Sequence, residues 1–345
     1  QQQESDTAAE QELQTAITLT RQAHFAEAIP HFLAVQGRVR DDYAASFNLA
    51  LCYVATGHYK EADKVLNDLR THGKSTAEVE SLLAQALVGM GDQQGALAAA
   101  QRMSHLTPKN EKLYLLTADA CMESGNFDLG LKIAELGLRQ LPDSPRLLFE
   151  HGMFLAQLDR VDVTKHDLAR VAVLAPGTDI AYIAVAQKSL FEGDVEQALR
   201  VAREGVQRGN QHFMLLSLYG ETAVRAGITP DRPEFREVLT AVEGAVAQRP
   251  NYASAQITLG KLYLMQGRVN DAIGHLEVAR QLDSRNPAVY SNLATAYRQR
   301  GDEQRAREAL DMLATLNREQ MGKISTAPGE TKRGYAASRA SDTPK

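Results

Sequence analysis

Apolar and small residues return along this chain at helical spacing, and the helices they predict return at a longer one. Phe25, Ala28 and Phe32 stand at i, i+3 and i+7, one face of an amphipathic helix. The run Phe47-Asn-Leu-Ala-Leu-Cys-Tyr53 marks another. A small residue recurs every 34 positions, at Ala16, Ala50, Ala84, Ala118, Gly152, Ala186 and Gly220. After a slip of six residues it resumes at Gly260 and Ala294. Seven residues beyond each stand Ala23, Gly57, Gly91, Gly125, Asp159, Gly193, Gly227, Gly267 and Gly301. A second small column follows at Ala28, Ala62, Ala96, Ala198, Ala272 and Ala306, loosening at Gly130, Thr164 and Val238. Prolines recur at Pro108, Pro142, Pro176 and Pro250. Four columns in one register define an internal repeat, and a period of this size predicts a solenoid.

Each column has a physical reason. Antiparallel helices approach closely only where side chains are small, so Ala or Gly marks their crossing. Glycine after the first helix supplies a left-handed residue that turns the chain. Proline after the second helix ends it and starts the next unit. These columns, with Leu259-Gly260-x-x-Tyr263 and Ala272-x-x-x-Leu276, resemble the tetratricopeptide repeat (TPR) family over residues 9–320. The family's usual Trp is absent, and Tyr114, Tyr182 and Tyr290 stand in its place. The resemblance implies an all-α fold, a right-handed α-solenoid of about nine helix-turn-helix repeats.

The expected repeats are 9–42, 43–76, 77–110, 111–144, 145–178, 179–212, 213–252, 253–286 and 287–320. The fifth is the least regular, with Asp159 for Gly and Thr164 for Ala. The seventh carries the six extra residues around Ile-Thr-Pro-Asp-Arg-Pro-Glu, 228–234, a stiff protruding turn. Its Pro230-x-x-Pro233 has the spacing of a Pro-rich ligand, a match too short to outweigh a lengthened loop. Asp or Asn after the repeat turns can cap the following helix. Residues 1–8 are expected to be flexible and 321–345 a disordered polar tail. The last helix, from Glu303, reads as a polar cap on the exposed end.

Charge and composition narrow the function. A net charge of −5 favours neither nucleic acid nor an anionic membrane surface, and no apolar run is long enough to cross a bilayer. Cys52 and Cys121 are two repeats apart, on the order of 20 Å, too far for a disulfide. They are expected as buried free thiols. The nine histidines form no His-Glu-x-x-His pair, and His31, His151 and His166 are expected at solvent or at repeat junctions. Gly73-Lys-Ser-Thr76 lacks the upstream glycine and the strand of a phosphate loop. We expect no enzyme, cofactor or metal. Gln1, in place of Met, and the polar start suggest a mature exported protein, periplasmic or secreted, or a cytoplasmic one if this start is not natural.

The TPR resemblance implies partner binding on the concave face of the first helices. A carboxylate clamp is absent: Asn48 is present, but Leu13 and Ile17 precede it where Lys and Asn belong, and Glu78 and Leu82 follow. The same positions instead offer Phe47, Leu51, Phe149, Met153, Ile180, Ile183, Leu190, Met214, Ile257 and Leu264, interspersed with Gln85, Asp119, Gln187, Glu221 and Lys261. Such a face suits a helix or extended apolar segment, or else simply packs the first helices together. The expected function is a non-catalytic protein-binding scaffold for a cell-envelope or extracellular complex. The alternatives are a self-associating structural protomer and an accessory subunit of an enzyme in another chain.

Overall fold

The computed structural model describes residues 2–326, with side chains over 7–319, and the regular structure there is entirely helical. Eighteen helices follow in consecutive pairs. They are α1 (Gln2–Arg21) with α2 (Phe25–Val35), α3 (Asp42–Ala55) with α4 (Tyr59–Thr71), and α5 (Ala77–Met90) with α6 (Gln93–Leu106). Next come α7 (Glu111–Glu123) with α8 (Phe127–Gln140), α9 (Pro145–Gln157) with α10 (Val161–Leu174), and α11 (Asp179–Phe191) with α12 (Val195–Gln207). The last are α13 (Phe213–Arg225) with α14 (Glu234–Gln248), α15 (Ala253–Met265) with α16 (Val269–Leu282), and α17 (Pro287–Arg300) with α18 (Glu303–Thr326).

Two of the sequence expectations at the ends change. Helix α1 already includes 2–8, the segment expected to be flexible, because its Ala, Glu and Gln residues extend the helix that buries Ala9 and Leu13. Helix α18 runs to Thr326, past the expected end at 320; the rest of the expected tail lies outside the described residues. Contacts divide the chain into two compact units, one ending at Asp194 and the other starting at Val195. The boundary falls between α11 and α12, inside one 34-residue period, where the columns run on evenly.

In the first unit α1, α3, α5, α7 and α9 each pack on their partner and on the next odd-numbered helix, as far as α11. Among the described residues, even-numbered helices meet each other only at α6 and α8. The second unit repeats this, with α13 on α15 and α15 on α17. Crowding along one edge and spacing along the other curves a stack toward its crowded edge, so the first helices line the inner side of each unit.

The turn column is left-handed throughout. Gly57, Gly91, Gly125, Gly193, Gly227, Gly267 and Gly301 have φ between 70° and 82°. Ala23 and Asp159 hold the same geometry without being glycine, at φ 61° and 58°. The fold imposes the turn and the side chain tolerates it, at about 1 kcal/mol for alanine. Ala23→Gly should therefore raise the denaturant midpoint of the first unit, by about 1 kcal/mol of stability. No gain in a urea melt would mean that the turn is unstrained. The prolines behave as the sequence suggests, since Pro108, Pro142, Pro176 and Pro250 each follow a helix end by two residues.

Capping is less uniform. Asp92 accepts from Gly95 N at 2.9 Å, as expected. Asn126 does not cap, because its amide joins Ser124 and Gln93 instead. Side-chain caps also sit on first helices: Asp41 on α3, Thr76 on α5 and Ser144 on α9. Thr76 belongs to the rejected phosphate-loop match, whose Ser75 donates to Glu80.

Where the small columns deviate, a neighbour compensates. An added Cβ at Gly130 would stand 2.2 Å from the ring of fully buried Phe154, so this glycine makes room for the ring. At Gly260 it would meet Leu276 at 2.6 Å and at Gly220 Val242 at 2.1 Å. In the irregular fifth repeat, buried Thr164 donates to Gly152 O at 3.0 Å, and His151 joins Asp167 at 2.6 Å. The insertion forms a turn, with Arg232 N donating to Thr229 O at 3.0 Å and Pro233 at φ −55°, ψ −35°. That is helical, not polyproline, backbone, so the Pro-x-x-Pro spacing is not presented as an extended ligand. The last helix is less polar than its sequence suggests, because Leu310 and Met312 are 39% and 43% exposed.

Candidate functional site

The ten apolar residues expected on the inner face all lie on first helices, but at two depths. Phe149, Ile183 and Leu264 are buried, at 5%, 4% and 8% exposure. Phe47, Leu51, Met153, Ile180, Leu190, Met214 and Ile257 are partly exposed. The first seven in chain order belong to the first unit and Met214, Ile257 and Leu264 to the second, so each unit has its own set. In the first unit, Phe47 and Leu51 pack against the core and Tyr43 stacks on Phe47 at 6.1 Å. Leu116 on α7, not among the candidates, is 40% exposed.

The polar residues among them are largely engaged. Asn48 donates to Ala44 O of its own helix at 2.8 Å, which uses the one clamp-type residue. Gln85 turns back to Ser81 O at 3.3 Å. Glu221 pairs with Arg225 at 2.7 Å. Beside Met214, Phe213 meets Tyr252 edge-on at 5.1 Å, with Arg249 over the Phe213 ring at 5.4 Å. Burial, and then the charge of Glu221, push the Tyr252 hydroxyl up to about 12, so it stays protonated at neutral pH.

One feature was missing from the sequence reading. Half-buried Glu150 on α9 lies by Asp119 of α7, and burial followed by that neighbouring charge raises its carboxyl from 4.5 to about 7. The register held the signal: Asp119 takes the place of Leu51, and Glu150 that of Leu82, in equivalent repeats.

The other chemistry-bearing residues are structural in their contacts. Cys52 and Cys121 are buried free thiols; burial raises both, Cys121 to about 12, which makes it a poor nucleophile. His31 bonds Glu12 at 2.7 Å across the α1–α2 pair, and His166 stands exposed near Asp167. Among the described residues, no three His, Cys, Asp or Glu side chains gather as a metal site. Nor is any helix there long and apolar enough to cross a membrane.

Comparison with known proteins agrees with this architecture. Two models of the tetratricopeptide repeat match, one at residues 19–86 and 263–321 and one at 234–287. The TPR repeat-containing protein YpiA of Bacillus subtilis (strain 168) is 22% identical over 244 residues, 69% of this chain and 56% of that protein. The chain thus spans little more than half of that relative's length. A chain of the APC/C hetero-tetramer Cut9-Hcn1 superposes with TM-score 0.52 at 15% identity, over 90% of this chain and 67% of that one. A tetratricopeptide repeat protein from Parabacteroides merdae gives 0.50 at 15% identity, over 74% and 98%. This chain is similar to tetratricopeptide repeat proteins over those stretches and folds as an α-solenoid of helix pairs.

Proposed function

We propose that this chain is a non-catalytic scaffold that holds an apolar protein segment, helical or extended, against the first helices. The observation that carries this reading is the partly exposed apolar row Leu51, Met153, Ile180 and Leu190 in the first unit. Arrays of tetratricopeptide repeats bind protein partners, and a prearranged row of shallow anchors needs little ordering on binding. Methionine among the anchors suits a segment of imperfect shape. The complex that this proposed scaffold would hold is a cell-envelope or extracellular one.

The test separates anchors from core. Phe149 is too buried to probe binding without disturbing folding, so Met153→Glu and Ile180→Glu are the informative changes. Crosslinking with mass spectrometry during gentle purification from the native source should find a stoichiometric foreign partner attached to first-helix residues. The double variant should keep its helical circular dichroism and bind that partner at least about tenfold more weakly. Full binding by a folded double variant would rule out this face.

A second reading, self-association, rests on α18. Leu310 takes the place that Leu276 holds fully buried in the preceding pair, yet is 39% exposed. An end with such a face could receive another copy of the chain. Sedimentation of wild type and Leu310→Lys distinguishes it: larger particles lost in the variant would favour the protomer.

A further inference from the structure

The second helix of each repeat has one seat against its first helix, three residues after the second small column. Apolar side chains fill it in most repeats, as Val65, Ala99, Ile133 and Val201 do. His275 on α16 takes it in the second unit, and His31 on α2 takes it in the first. Each meets the same first-helix position through Nδ1 at 2.7 Å. That position holds Glu12 on α1 and Gln256 on α15, so one imidazole faces a carboxylate and the other an amide.

The contacts fix the tautomer of His275. Gln256 is 3% exposed, and its Nε2 donates to Pro250 O at 2.6 Å. Only an N–H satisfies that carbonyl, so Oε1 is left to accept from His275 Nδ1. A further proton must then go to Nε2 of His275. The imidazole lies 5.5 Å from the Tyr263 ring, and the Arg268 guanidinium already covers that ring at 3.9 Å. The nearby acids have partners of their own: Asp271 is held by Arg268 at 2.8 Å, and Glu243 by the Tyr263 hydroxyl at 2.9 Å. On α16, Glu277 binds Arg280 and the Tyr297 hydroxyl. On the helices packed against α16, Lys261 of α15 is exposed, and Arg298 and Arg300 stand in the last turn of α17. Burial, the largest cause, holds the imidazole below its ordinary 6.5; Arg268 adds to this, and Asp271 and Glu243 oppose it.

We infer that the α15–α16 pair is an acid-opened clasp: the neutral His275–Gln256 bond holds it shut, and protonation of His275 releases it. In the first unit the same proton on His31 would complete an ion pair with Glu12 instead. Ile257 and Leu264 stand on α15, so the clasp sets how firmly the second unit presents that part of its inner face. No partner is involved, and the free protein suffices for the test.

Hydrogen exchange followed by mass spectrometry, corrected for the intrinsic pH dependence of exchange, reads the clasp in the whole chain. From about pH 7.5 to about pH 5, protection of 253–282 should fall about threefold or more relative to α5–α6, whose seat is Ala99. The direction follows from linkage: stability tied to neutral His275 is complete above the ordinary histidine value and is lost as pH drops below it. His275→Gln keeps an N–H for Gln256 and cannot take the charge, so it should abolish the fall. Gln256→Glu supplies the carboxylate that His31 has, and should abolish or reverse it. Constant protection in the wild-type chain, or the same fall in either variant, would overturn the clasp.

Discussion

Phe154→Ala is expected to destabilise the first unit by about 3–5 kcal/mol, the cost of emptying a fully buried aromatic site. The site cannot collapse easily, because the backbone of α8 already lies against the ring at Gly130. Gly130→Ala should be costly for the opposite reason. Alanine favours a helix by about 1 kcal/mol over glycine, but its Cβ would fall 2.2 Å from the Phe154 ring, and overpacking costs about 1–3 kcal/mol. In the double variant the added methyl enters the space the ring has left. Gly130→Ala should then be neutral or stabilising. Urea melts of the four proteins measure the coupling. Additive losses would show that Gly130 and Phe154 do not share their space.

Glu150 carries the second large effect, and its sign follows from linkage. Its folded carboxyl is raised from 4.5 to about 7, so the fold prefers the protonated form. The stability tied to that proton is fully present below the unfolded value and is lost as pH climbs through about 7. At about 1.4 kcal/mol per pH unit the loss is at most about 3.5 kcal/mol, and less because water reaches the half-buried group. Glu150→Gln should therefore leave the melting midpoint nearly unchanged at pH 5, about two pH units below the folded value, and raise it clearly at pH 8, about one unit above it. Equal midpoints for variant and wild type at pH 8 would show that the ionised carboxylate is comfortable where it lies.

The repeat itself was legible because its columns are made of backbone requirements. A left-handed turn wants glycine and a close crossing wants a small side chain, and both survive substitution: Ala23 and Asp159 hold the turn, and Thr164 fills the crossing beside Gly152. Depth was harder to read. Periodicity assigned Phe149, Ile183 and Leu264 to the inner face but could not say that they are closed over, since that depends on the neighbours' bulk. The Asp119–Glu150 meeting required comparing residues a full repeat apart, and its consequence comes from burial, which sequence spacing does not contain. The division after Asp194 leaves the columns untouched, because it concerns how densely helices pack and not which residues recur.

The unequal edges of the first unit also have a mechanical meaning. A row of plates joined along one side flexes by opening the other, and here the joined side is the odd-numbered one. Changing the gaps between α2 and α4, or between α8 and α10, breaks no even-to-even contact, so curvature can vary there at little energetic cost. Between α5 and α8 both edges are fastened, α5 to α7 and α6 to α8. Under tension this segment acts as a stiff rib, and the compliance of the spring lies to either side of it.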